Sequence, residues 1–224
     1  MKYVISLGGS VIVPNDIDIN YLKKFNEIIK KYSRNNKFII ITGGGSIARK
    51  YIKPLKKAHL DVKTIGLIGI ATTRLNADLV KSIMKIKTNP RNNKDIINLI
   101  KKDSIVVTGA LNFLPDTTTD GICAQIAHEI KADLFINITN IKGLFDKNPL
   151  VYKDAKFISK ISFDNFDKMV NKMKFRSGQH YILDQKAAQI IKKYKIKTII
   201  IGNNIKNLNN ILSKKKFIGT VINY

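Results

Sequence analysis

The 224 residues, 44% hydrophobic and 25% charged, are ordinary globular usage for one domain over 1–224, and no apolar run nears the roughly 20 residues that span a bilayer. The formal charge is +24, but the lysines come as scattered pairs such as Lys23-Lys24, Lys56-Lys57 and Lys192-Lys193, which argues against nucleic acid as the main partner and leaves a surface that attracts anionic nucleotides. Cys123 is the sole cysteine, which excludes an intramolecular disulfide and a cysteine zinc cluster; with no cleavable signal pattern after Met1, a cytoplasmic protein is expected.

A β-branched run over 3–7 reads as the first strand and runs straight into Gly8-Gly9-Ser10. Tyr21, Leu22, Phe25, Ile28, Ile29 and Tyr32 then repeat at helical steps. A second strand over 38–41 leads to Thr42-Gly43-Gly44-Gly45-Ser46 and a helix holding Ala48, Arg49 and Tyr51. The third strand, 105–107, is followed by Thr108-Gly109-Ala110. Beyond it Asp116-Thr117-Thr118-Thr119-Asp120-Gly121 opens a helix marked by Ile122, Ile126 and Ile130, in which Cys123 reads as a small buried hydrophobe. A fourth strand over 134–138 precedes a loop from Thr139 to Pro149, and a fifth covers 198–201. Such alternation predicts an α/β protein with a largely parallel sheet and helices on both faces, whose ligands gather beyond the carboxyl ends of the strands.

Those ends carry the chemistry. Glycine lets an oxyanion approach backbone amides, and a helix start adds favourable partial charge, so Gly8-Gly9-Ser10 and Gly43-Gly44-Gly45 suit phosphates. Arg49, one turn into its helix, adds a charge-assisted donor. Either loop alone is equally a tight turn. Thr117, Thr118 and Thr119 at a helix start also suit a phosphate, the plainer alternative being that Thr118 or Thr119 caps the helix with Asp120 in its first turn. There is neither a Walker Gly-x4-Gly-Lys-Ser/Thr nor a Gly-x-Gly-x-x-Gly, which argues against P-loop kinases and dinucleotide dehydrogenases.

Gly8-Gly9-Ser10-Val11, the run from Thr42 through Gly43-Gly44-Gly45-Ser46-Ile47-Ala48-Arg49-Lys50-Tyr51-Ile52, and Ile68-Gly69-Ile70 leading to Thr73-Arg74-Leu75-Asn76-Ala77 stand in order along the chain. Thr118-Thr119-Asp120, Thr139-Asn140 with Gly143, Leu183-Asp184 with Ala187-Ala188, and Gly219-Thr220 follow. In these blocks the chain resembles, from end to end, the archaeal-type UMP kinases of the amino acid kinase family. The resemblance implies the amino acid kinase fold, a three-layer αβα sandwich. It further implies ATP with Mg²⁺ as donor, UMP as acceptor, UDP as product, and a homo-oligomer, a hexamer as in UMP kinases. It puts Gly9, Ser10, Gly45 and Arg49 at the transferring phosphates, and Gly44, Thr117, Thr118 and Thr119 at the phosphate of UMP. Thr139, Asn140, Phe145 and Asn148 would line the ATP site. Asp120 and Asp184 would orient cations, Asp184 being equally a helix cap, with no metal site built from protein groups alone.

The chain departs from the family pattern at particular places. Ser6 stands where many members carry lysine, and Arg74, Lys50 and Lys142 are the candidate substitutes. Gly66 stands where UMP kinases usually have an acidic residue for ribose, and Lys142 where one usually precedes Gly143. The loop 111–116 is slightly long and has Phe113 and Leu114 in place of small residues. Gly66 keeps open a related small-phosphate or carboxylate kinase; Ser6 and Lys142 keep open a non-catalytic nucleotide-binding member. His180 is expected to have a surface or packing role, and His59 and His128 none in function.

Overall fold

The computed structural model describes residues 1–113, 117–172 and 183–223, so His180, Leu114 and Asp116 lie outside the described residues. The chain runs β1 (Lys2–Leu7), α1 (Gly9–Ile12), α2 (Ile19–Ser33), β2 (Lys37–Thr42), α3 (Gly45–Lys57), α4 (Val62–Met84), α5 (Asn93–Lys102) and β3 (Ile105–Thr108). It continues with α6 (Thr119–Glu129), β4 (Leu134–Thr139), β5 (Leu144–Phe145), β6 (Phe157–Ile158), β7 (Lys160–Ile161) and α7 (Phe163–Lys172). The last elements are α8 (Gln185–Tyr194), β8 (Thr198–Gly202), α9 (Ile205–Leu212) and β9 (Thr220–Ile222).

The main sheet is ordered β3-β2-β1-β4-β8-β9-β7, and all neighbours are parallel except β8 and β9. The five strands expected from the sequence are its first five in that order, and nearly every residue in them is buried. Continuous Ile and Val runs such as Ile39-Ile40-Ile41 fit strands covered on both faces. The two- and three-residue strands β5, β6, β7 and β9 are too short to show any period.

Because successive strand residues face opposite ways, the same runs build two separate cores. Val4, Ile39, Val106, Phe135 and Ile200 join apolar residues of α5, α6, α7 and α8 on one face. Ile5, Ile40, Val107, Ile136 and Ile199 join Phe25 and Ile29 of α2, Val80 of α4 and Leu208 of α9 on the other. The outcome is the three-layer αβα arrangement. Side-chain oxygens start several of the helices: Asp18 accepts from the Tyr21 amide at 2.9 Å and Asp61 from the Thr64 amide at 2.9 Å. No helix among the described residues is long and apolar enough to cross a membrane.

The region 62–84 is a helix although Gly66 and Gly69 lie within it, each lowering helix propensity by about 1 kcal/mol. Both sit where neighbours come close, Gly69 against Ile52 and Gly66 against Phe113. The helix pair α3 and α4 also differs from the rest in burial. No residue of α3 is buried, and the first buried residue of α4 is Thr72.

Phe135 of β4 is 0% exposed at the middle of the sheet. Phe135→Ala is expected to destabilise the protein by about 3–5 kcal/mol through lost transfer energy and a residual cavity. Urea unfolding measures it, and a loss below 1 kcal/mol would contradict this packing.

Candidate active site

Strands β1 and β2 run parallel in step, with Leu7 opposite Thr42, so their following loops leave the sheet side by side. Glycine is required there by space. A Cβ on Gly9 would lie 2.1 Å from the Gly45 nitrogen, and one on Gly45 2.3 Å from the Gly9 carbonyl oxygen. Gly45 also takes a φ of +62°, which L side chains adopt at a cost. The two backbones therefore touch, and their amides share one concavity. Asn76 of α4 supports it from below, donating Nδ2 to the Gly43 carbonyl at 2.7 Å. Thr42 Oγ1 donates to the Thr73 carbonyl at 2.8 Å, fixing α4 to the end of β2.

The hydroxyl run stands at the start of α6. Thr118 Oγ1 caps that helix, accepting from the Asp120 amide at 3.2 Å, so the plain capping role and the proximity to the cleft belong to the same residue. Asp184 caps α8, accepting from the Ala187 amide at 2.7 Å on Oδ1. Its Oδ2 accepts from the amides of Thr118 and Gly121, each at 3.1 Å, and from the Thr118 hydroxyl. One carboxylate is thus shared by two helix starts.

Asp120 is arranged differently. It reaches the cleft wall, but its Oδ1 is turned inward and accepts from Ser6 Oγ at 2.8 Å and Asn137 Nδ2 at 2.7 Å. Burial, and then the charge of Asp184, push its pKa from the ordinary 3.8 up to about 7, while the Ser6 and Asn137 bonds oppose the rise. A hydroxyl of Ser6 is a neutral donor where a lysine would hold the carboxylate ionised.

All of these groups face one cleft of about 890 Å³. Gly9, Ser10, Gly44, Gly45 and Arg49 line it beside Thr117, Thr118 and Thr119. Asp120, Asp184 and Thr139 line it too. Burial lowers the pKa of Arg49 without discharging a guanidinium. Asn140, Phe145 and Asn148 are outside this lining. The Phe145 ring packs edge-on to Phe157 at 5.6 Å, and Asn148 Oδ1 accepts from the Leu150 amide at 3.0 Å.

The candidate substitutes for a lysine at Ser6 are engaged or away from the lining. Arg74 donates to the carbonyls of Ala110 at 3.1 Å and Leu111 at 2.5 Å, and the Lys142 ammonium sits 4.9 Å above the Phe157 ring. Lys50 is also outside the lining. Among the described residues, the lysines that do line the cleft are Lys53, Lys56 and Lys57 of α3. They follow Arg49 at helical spacing, a signal that extending α3 to Lys57 would have revealed. Phe113 and Asn137 likewise line the cleft without having been singled out as ligand contacts. Among the described residues no cluster of three His, Cys, Asp or Glu side chains is placed to hold a metal ion.

The model of the amino acid kinase family matches residues 1–202. The uridylate kinase of Methanococcus aeolicus is 33% identical over 228 residues, covering 100% of both chains. That of Archaeoglobus fulgidus is 34% identical over 224 residues, covering 99% of this chain and 100% of its own. The crystal structure of the Archaeoglobus fulgidus uridylate kinase superposes with a TM-score of 0.85 at 33% identity, over 99% of this chain and 100% of that one. The UMP kinase structure from Bacillus anthracis gives a TM-score of 0.81 at 20% identity, over 99% and 95% of the two chains, a likeness of fold.

Gly45→Ala places a Cβ against backbone at positive φ, and a loss of about 2 kcal/mol or more is expected. Gly69→Ala meets only the end of Ile52 at 3.4 Å and is expected to be neutral or to stabilise by up to about 1 kcal/mol. Chemical denaturation of the pair tests the loop contact, which equal effects would exclude.

Asp120 gives a pH signature. Folded protein keeps its proton up to about pH 7, whereas the unfolded chain releases it near 3.8. Stability from this group is therefore full at acid pH and declines as pH rises between those values, by roughly 1.4 kcal/mol for each unit crossed. Without nucleotide or metal, Asp120→Asn should melt above the parent at pH 8, the gap closing towards pH 4. A pH-independent gap would refute the raised pKa.

Proposed function

The chain belongs to the amino acid kinase family, and we propose that it is a UMP kinase, transferring the γ-phosphoryl group of ATP to UMP and releasing ADP and UDP. The observation that carries this reading is the meeting of two backbone-lined glycine loops and a hydroxyl-bearing helix start on one cleft. Full-length likeness to uridylate kinases supports the choice of acceptor.

In this reading Gly9, Ser10 and Gly45 present their backbones to the donor phosphates, with Thr139 further along the ATP site. Asn140, Phe145 and Asn148 belong to the adenosine end, beyond the cleft itself. Gly44, Thr117, Thr118 and Thr119 hold the phosphate of UMP. An oxygen of that phosphate attacks the γ-phosphorus, the bond to the β-phosphate bridging oxygen breaks, and ADP carries the electron pair away. Little covalent help is needed from protein groups, so alignment and charge neutralisation do most of the catalysis. Arg49 neutralises equatorial charge on the group in flight.

Mg²⁺ bound through nucleotide phosphates and its own waters asks for only one or two carboxylates, the number that the described cleft lining offers in Asp120 and Asp184. The ion would neutralise phosphate charge. Asp184, with both oxygens already accepting bonds, orients and braces, while Asp120 can exchange its proton for a nearby cation.

Residues 1–224 act as one domain in the cytoplasm. We further infer a homo-oligomer, a hexamer as in UMP kinases. The exposed apolar side chains of the α3–α4 pair support association, Tyr51 being 59% and Leu67 48% exposed. Light scattering of the purified protein measures the assembly.

With Mg-ATP, UDP formation from UMP is expected to exceed turnover of CMP and AMP. A far better acceptor among small phosphates or carboxylates would replace this reading with the related kinase, and tight ATP binding without any transfer would make the chain non-catalytic. Arg49→Ala should lower kcat/KM by roughly 10- to 100-fold, the loss of a charge-assisted hydrogen bond. An unchanged kcat/KM would remove Arg49 from the chemistry.

A further inference from the structure

Gly66 and Phe113 come from different elements and meet at the cleft. The ring of Phe113 lies directly over Gly66, where an added Cβ would be 2.2 Å from Cε2 and 2.5 Å from Cδ2. Any side chain at 66 and this ring compete for one space. The loop carrying Phe113 follows β3, the outermost strand on that side, and is held to α4. Arg74 grips the Ala110 and Leu111 carbonyls, and Thr73 Oγ1 accepts from the Ala110 amide at 2.9 Å. The ring is thus offered to the cleft from a fixed base, next to Ile52, Gly69 and Ile70 in the same wall.

This wall is apolar and aromatic. The carboxylates among the described cleft-lining residues are those of Asp120 and Asp184, both taken up at the start of α6. The other polar side chains near the wall are Thr73, whose buried hydroxyl is taken up by the Ile70 carbonyl and the Ala110 amide, and Asn112 and the lysines of α3, which are exposed and remain hydrated. A site rejects an analogue lacking a hydroxyl strongly only when a buried polar group is left unpaired by it. A ring leaves nothing unpaired.

We propose that the Phe113 ring, seated over Gly66, is the surface on which the acceptor nucleoside packs, and that this surface does not read the sugar 2′-hydroxyl, so that dUMP is an acceptor alongside UMP. The proposal rests on the UMP kinase reading and sharpens its substrate class.

Initial rates with saturating Mg-ATP test it on the whole protein. The expected result is a kcat/KM for dUMP within tenfold of that for UMP. A dUMP value lower by more than tenfold, with UMP turned over, overturns this inference and leaves the UMP kinase reading intact; turnover of neither overturns both. Phe113→Ala, checked by thermal melting, is expected to raise KM for both acceptors roughly tenfold with kcat within about twofold, as loss of a stacking surface does. Unchanged KM values would mean that the ring does not touch the acceptor, and the proposal falls. Phe113→Leu should land between the two, because it keeps apolar area and loses the flat face.

Discussion

The arrangement depends on backbone meeting backbone at Gly9 and Gly45. Here the Gly9 and Gly45 positions leave no room for a Cβ, so two peptide chains approach to van der Waals contact. The contact follows from the register of β1 and β2, which brings Leu7 and Thr42 level before both strands end. Once it is made, the direction of α3 is set, and with it the position of Arg49 one turn later. Asn76 then anchors the Gly43 carbonyl and ties the same loop to α4. Backbone amides provide pre-oriented dipoles that no rotamer can withdraw, which suits an anion whose charge moves during reaction.

Beside these neutral donors the cleft keeps two carboxylates in contrasting states of support. Asp184 accepts from three backbone amides at two helix starts, where macrodipoles favour negative charge. Asp120 has one hydroxyl and one amide for company, and desolvation prevails. Ser6 on β1 gives Asp120 a neutral donor, and the cations among the described cleft-lining residues come from α3, which carries Arg49, Lys53, Lys56 and Lys57.

Much of this was legible in the sequence, for identifiable reasons. Runs such as Ile39-Ile40-Ile41 cannot avoid burial, so the five longer, mutually parallel strands were readable to within a residue or two. The glycine loops were readable because few other residues stand so close to strand ends. Thr118 and Asp184 were readable as caps, and they are caps, in addition to facing the cleft. What escaped was tertiary in origin. A helix interrupted by Gly66 and Gly69 has no sequence signature until Phe113 and Ile52 are seen to fill the gaps. The short strands β5, β6, β7 and β9 exist only through their partners. Asn140, Phe145 and Asn148 shared a loop with Thr139, but closeness in the chain did not bring them into the same cleft lining.

The two sides of the cleft are anchored very unequally. On one side α6 is fastened to α8 through Asp184 and embedded in a core built from Ile126, Ala187 and Ile191. On the other, α3 has no buried residue to hold it. Segments with little buried contact open at lower free energy, so opening of the cleft costs less at the α3 jaw than at the α6 jaw. A neighbouring subunit laid across Tyr51 and Leu67 would lean on that same jaw. Self-assembly and the escape of products would then draw on the same α3–α4 pair, and a change in one would be felt in the other.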